Sequence, residues 1–124
     1  MKRMRLFFAA LATAALLAAC GGTPASTADP ADADVSVTSV DIAFEQTTLT
    51  VPAGEAFTLA LINEDSAPHN VAIYTDSSAS NDLYIGEHVT DGTIVYDVPA
   101  LEPGEYFFRC DLHPEMVGTL IVEG

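Results

Sequence analysis

From Val35 to the end of the chain, short apolar runs alternate with polar residues at period two, and turn residues separate them. Such alternation sends successive side chains to opposite faces, so each run needs a core on one side only. Val35–Val40, Thr48–Val51, Ala56–Ile62 and Asn70–Tyr74 read as strands, as do Thr93–Val98, Tyr106–Cys110 and Gly118–Val122. Leu83–Val89 is a weaker eighth. The breaks between them include Pro52-Ala53-Gly54, Asn63-Glu64-Asp65-Ser66, Asp91-Gly92 and Pro99–Gly104, all turn chemistry. No stretch in this region carries helical periodicity. The reading is all-β: an antiparallel sandwich or barrel of seven or eight short strands. The core falls to aliphatic residues with Phe44, Phe57, Tyr106 and Phe107, because the chain has no tryptophan.

The first residues do not share this pattern. Met1–Arg5 is short and basic, and Leu6–Ala19 is apolar apart from Thr13. That run reads as a signal-peptide core, short for a membrane span. It ends in Leu17-Ala18-Ala19-Cys20, which resembles a bacterial lipobox. The resemblance implies cleavage before Cys20 and lipidation of that cysteine, which anchors the chain outside the cytoplasm, on the periplasmic or cell-surface side. The stretch that follows, to Asp34, is small, acidic and proline-containing and reads as a flexible tether. The division is therefore 1–19 signal peptide, 20–34 lipidated cysteine and tether, and 35–124 one domain.

Removal of the signal leaves Arg109 as the sole Lys or Arg against all 18 acids, a side-chain charge of about −17. Nucleic-acid binding is excluded, since it needs basic residues for phosphate contacts. The acidity suits a salt-rich habitat, a solvated surface or steering towards a basic partner. With Cys20 lipidated, Cys110 has no intramolecular partner, and a lone thiol in an oxidising compartment calls for burial or a ligand. Met116 becomes the one remaining methionine.

Those two residues belong to one loop, Cys110-Asp111-Leu112-His113-Pro114-Glu115-Met116. It offers a thiolate, an imidazole and a thioether with two-residue spacers, a donor set that suits copper. His69, in Pro68-His69-Asn70-Val71, is the candidate fourth donor from a neighbouring strand. Taken singly, His69 fits a surface histidine, Cys110 an inert core thiol and Met116 a packing residue. Their combination favours a site. His88 has no motif around it and reads as a surface histidine.

The chain resembles the cupredoxins, the plastocyanin, amicyanin and azurin family, over most of residues 35–124. Pro68-His69-Asn70-Val71 matches the family's first-histidine motif, and the Cys110–Met116 loop matches its short amicyanin-type loop. Leu101-Glu102-Pro103-Gly104-Glu105-Tyr106 resembles the tyrosine corner, and Phe44–Gly54 the early strands. The resemblance implies a Greek-key antiparallel β-sandwich of seven or eight strands and one type 1 copper ion held by His69, Cys110, His113 and Met116, with Asn70 bracing the ligand loop. It also implies electron transfer without bond chemistry on a substrate, His113 serving as the electron port within an apolar patch that includes Pro114 and Leu112. The expected molecule is a monomer whose partner is a redox protein, such as a cytochrome or oxidase, with a basic docking face. Arg109 departs from the plastocyanin pattern, which has an aromatic residue there as a second electron route. A single loop cysteine fits a mononuclear site only. A copper storage, delivery or tolerance protein is the alternative, although such sites are often rich in methionine or histidine. A copper oxidase or reductase would need a second site, and the chain has three histidines in all.

Overall fold

The computed structural model describes Ser26 and residues 28–124. The signal peptide and Cys20 lie outside the described residues. A short 3₁₀ turn, Pro30–Asp32, is capped by the Asp29 carboxylate, which accepts from the Ala31 N–H. Nine strands follow: β1 (Val35–Val40), β2 (Ala43–Phe44), β3 (Thr48–Pro52), β4 (Phe57–Asn63), β5 (Ala72–Tyr74), β6 (Asp82–Ile85), β7 (Gly92–Val98), β8 (Gly104–Arg109) and β9 (Val117–Glu123). They form two facing sheets, ordered β2-β1-β4-β7 and β3-β9-β8-β5-β6. The all-β fold expected from the alternation is borne out, as a sandwich.

Two details differ from the expectation. There are nine strands, because Ala43–Phe44 pairs back on β1 through the two-residue turn Asp41-Ile42. Asp41 suits a turn but Ile42 does not, so the alternation carried no sign of this hairpin. The sheets are also mixed: β1 runs parallel to β4, and β3 parallel to β9. Alternation tells which face of a strand is buried but not which strand lies beside it.

The core lies between the sheets. β3 reads exposed-buried-exposed-buried-exposed, and β9 alternates likewise. Phe108 is buried and its ring lies 5.5 Å from that of Phe44, whereas Phe107 turns outward towards Tyr74, as adjacent strand residues must. A Cβ on Gly118, which pairs with Phe108 across β8 and β9, would meet the Phe108 ring at 2.2 Å, so only glycine fits beneath it. Tyr96 is the largest fully buried side chain, and its hydroxyl donates to Glu87 O at 2.7 Å. The tyrosine corner forms: the Tyr106 hydroxyl donates to Glu102 O at 2.9 Å.

Order begins upstream of β1. The Ser26 N–H donates to Val95 O, and Asp34 exchanges hydrogen bonds with Thr58 on β4. At the opposite end of the sandwich, the segment from β4 to β5 and the loop from β8 to β9 come together. That meeting builds the site.

Candidate metal centre

β8 delivers Cys110 just past its last residue, and β9 begins one residue after Met116. The loop between them is closed across its neck, where the Cys110 N–H donates to Met116 O at 3.0 Å. The Met116 N–H in turn donates to His113 O at 2.9 Å. These bonds curl seven residues into a tight arch, with Cys110 and Met116 buried and His113 half-buried at its edge.

His69 arrives from the other sheet connection. It forms an isolated antiparallel bridge with Val89, each N–H donating to the other's carbonyl. Asn63, at the end of β4, anchors this segment. Its Nδ2 donates to Ala67 O and Val89 O, and its Oδ1 accepts from Ser39 Oγ and the Asp65 N–H. A buried amide with its partners in place rigidifies what it holds.

The two segments are tied by Asn70. Its Oδ1 accepts from the Asp111 N–H at 2.9 Å and its Nδ2 donates to Gly86 O at 3.0 Å. These two bonds join the His69 segment to the cysteine loop and to Gly86.

The result is a triangle of donor atoms. His69 Nδ1 lies 3.1 Å from His113 Nδ1, and Cys110 Sγ lies 3.8 Å and 3.7 Å from the two nitrogens. The point equidistant from the three is about 2.1 Å from each, close to the bond lengths that imidazole and thiolate ligands make to a first-row metal ion. Two imidazoles and one thiolate in a trigonal set, with a thioether near by, is the donor chemistry of type 1 copper. His88 is exposed and outside this cluster.

The cupredoxin-like domain model matches residues 7–122. This chain is a cupredoxin. Amicyanin of Paracoccus versutus is 36% identical over 101 residues, 81% of this chain and 73% of the relative. The crystal structure of that amicyanin superposes with a TM-score of 0.59 at 34% identity, covering 77% of this chain and 85% of the other. Reduced auracyanin from Roseiflexus castenholzii shares the fold, with a TM-score of 0.64 at 20% identity over 73% of this chain and 96% of the other. Copper, one ion of type 1, is the cofactor that this cupredoxin's donor set fits.

Three participants were not anticipated from the sequence. Asp65 accepts from His69 Nε2 at 2.8 Å. Burial would push its carboxyl up, but hydrogen bonds from the Ile42 N–H, His69 and the Asp41 N–H outweigh that and hold it below the ordinary value. By sequence Asn63 belongs to a turn, whereas it closes β4 and anchors the His69 segment. Tyr74 donates to Asp111 Oδ1 at 2.6 Å, and the Arg109 guanidinium lies 5.0 Å from the centre of its ring. Arg109 also donates to Asp111 Oδ1, so the residue in place of the plastocyanin aromatic pins the loop's second residue. Asn63 reaches Val89 and Tyr74 reaches Asp111 across the fold, so no spacing marks either, and Asp65, although only four residues before His69, belongs to no motif.

Proposed function

We propose that this cupredoxin is an extracytoplasmic electron carrier, tethered to a membrane through lipid on Cys20, with His69, Cys110, His113 and Met116 as the ligands of one copper ion. The observation that carries the reading is the convergence of His69 Nδ1, His113 Nδ1 and Cys110 Sγ, all within 4.8 Å of one another. When bound, copper supplies a one-electron couple between Cu(I) and Cu(II). The protein's part is to hold one geometry for both states. Asn70, Asn63 and the neck of the loop keep the donors from rearranging, and Cys110, His69 and Met116 are all at most 1% exposed, which excludes water.

His113 is the exception to that burial and serves as the electron port. Around it the surface is apolar: Leu112 is 50% exposed, Val117 is 40% exposed, and Pro114 is exposed. Such a patch suits brief docking of a redox partner, and the many acidic side chains favour a basic one, such as a cytochrome or oxidase. The chain works as a monomer and performs no bond chemistry on a substrate. No helix among the described residues is long and apolar enough to cross a membrane, which is compatible with anchoring by lipid alone.

The alternative, copper storage or delivery, needs a site that exchanges its metal readily. Burial of three of the four donors argues against it. The test is the optical and paramagnetic-resonance spectrum of the copper-loaded protein. An intense thiolate-to-copper band with reversible one-electron reduction is expected, and Cys110→Ser abolishes the colour. A colourless Cu(II) complex refutes the reading.

A further inference from the structure

The turn between β1 and β2 is made by Asp41 and Ile42, both in the left-handed region, at φ 52° and 55°. Two consecutive positive φ values make a tight hairpin turn of the type that ordinarily carries Asn-Gly. A β-branched residue such as Ile42 is among the least tolerant of that conformation. Something must hold the turn, and that group is Asp65. Its Oδ1 accepts from the Asp41 N–H at 2.7 Å, and its Oδ2 from the Ile42 N–H at 3.1 Å.

The same Oδ2 lies 2.8 Å from His69 Nε2. His69 is wholly buried, with its other nitrogen, Nδ1, facing Cys110 Sγ and His113 Nδ1. A carboxylate only accepts, so Nε2 carries the proton and Nδ1 is left free to face a metal. A metal-binding imidazole that donates to a carboxylate becomes a more basic ligand and is fixed in orientation. A more basic ligand, with a negative charge behind it, favours the oxidised and more positive of two copper states.

We propose that Asp65, clamped by the Asp41-Ile42 turn, is a positioning residue that lowers the copper reduction potential through His69. The proposal rests on the type 1 copper reading. Acting through His69, Asp65 stabilises bound Cu(II) more than Cu(I), because the carboxylate's charge matters more to the more positive ion. Its backbone clamp keeps the carboxylate from swinging away when the electron arrives.

The experiment compares the copper-loaded wild-type protein with Asp65→Asn and Ile42→Gly by voltammetry, visible spectroscopy and metal competition. Asp65→Asn keeps the size and removes the charge; its amide oxygen can still accept from the Ile42 N–H and His69 Nε2, while the Asp41 N–H loses its acceptor. It should stay blue, shift its potential to more positive values, and lose about 10–100-fold in affinity for Cu(II), with a smaller loss for Cu(I). Ile42→Gly keeps the N–H donor and the charge and relieves the turn, so its potential should match wild type. A blue Asp65→Asn protein with an unchanged or lowered potential overturns the proposal. So does a shift in Ile42→Gly as large as that in Asp65→Asn, because loop geometry and not charge would then set the potential. If Asp65→Asn does not fold, Asp65→Ser combined with Ile42→Gly carries the same expectation, since the turn no longer needs the full clamp. A colourless wild-type protein sinks the copper reading and this proposal with it, whereas a blue wild type with an insensitive potential sinks this proposal alone.

Discussion

Replacing Asn70 by alanine isolates the tie between the two halves of the site. The side chain is fully buried and makes two hydrogen bonds, one to Gly86 O and one from the Asp111 N–H. Alanine leaves both backbone groups without that partner. Each such loss costs about 1–3 kcal/mol, towards the upper end for the buried Gly86 carbonyl and the lower end for Asp111, which is half-exposed. The metal-free protein should therefore lose about 2–5 kcal/mol. That is a large share of the roughly 5–15 kcal/mol that a domain has in total, but it leaves a folded population. In urea the midpoint should fall by roughly 2 M at an unchanged slope. With the brace gone, copper affinity should drop about 10–100-fold, as it does when groups supporting metal ligands are removed. Urea titrations monitored by circular dichroism, with and without copper, and competition with a chelator of known affinity make the measurement. A metal-free stability within about 0.5 kcal/mol of wild type would refute the hydrogen-bond argument. A destabilised protein with undiminished copper affinity would show that Asn70 supports the fold without positioning the loop.

Gly118→Ala forces a methyl into the Phe108 ring, and the strain should cost about 1–3 kcal/mol or more, lowering the thermal midpoint by several degrees; an unchanged midpoint in calorimetry would mean that the two strands separate at little cost. Tyr74 and Tyr96 are both pushed above the ordinary tyrosine value of 10.0, chiefly by burial, with the Asp111 carboxylate adding to it at Tyr74. Because the folded values are raised, their contribution is complete below pH 10 and is lost as pH climbs through the folded values; stability should fall in alkali, and Tyr74→Phe or Tyr96→Phe should flatten that fall in urea midpoints taken from pH 9 to 12. Removing copper should lower the thermal midpoint, because a ligand that binds only the folded chain stabilises it by mass action; equal midpoints with and without copper at saturation would contradict a preformed site.

Much of this protein is legible along the chain. The period-two alternation already requires an all-β fold of sandwich or barrel type, because every run has one face to bury and no run has a helical stripe. The local spacing of Cys110, His113 and Met116 names three donors, since a seven-residue arch can gather its own side chains whatever surrounds it. His69 and Asn70 were readable through their motif. Ser39, Asn63 and Asp65 were not, because their roles depend on which backbone groups lie across the fold. Ser39 holds an inward position in β1 that an alternating strand gives to an apolar residue, and its partner is Asn63 in β4.

The sequence by itself settles what kinds of atom are available and which strand faces are buried, since both depend on residue type and on neighbours a few positions away. Only the tertiary structure decides that β1 lies parallel to β4 and that β3 lies parallel to β9. It alone brings the carboxylate of Asp65 onto the strained turn at Asp41-Ile42 and onto His69 together. Asp65 and His69 are near neighbours along the chain, but the turn they meet is not, and hydrogen-bond geometry at that range is set by how the sheets stack, which no local spacing encodes.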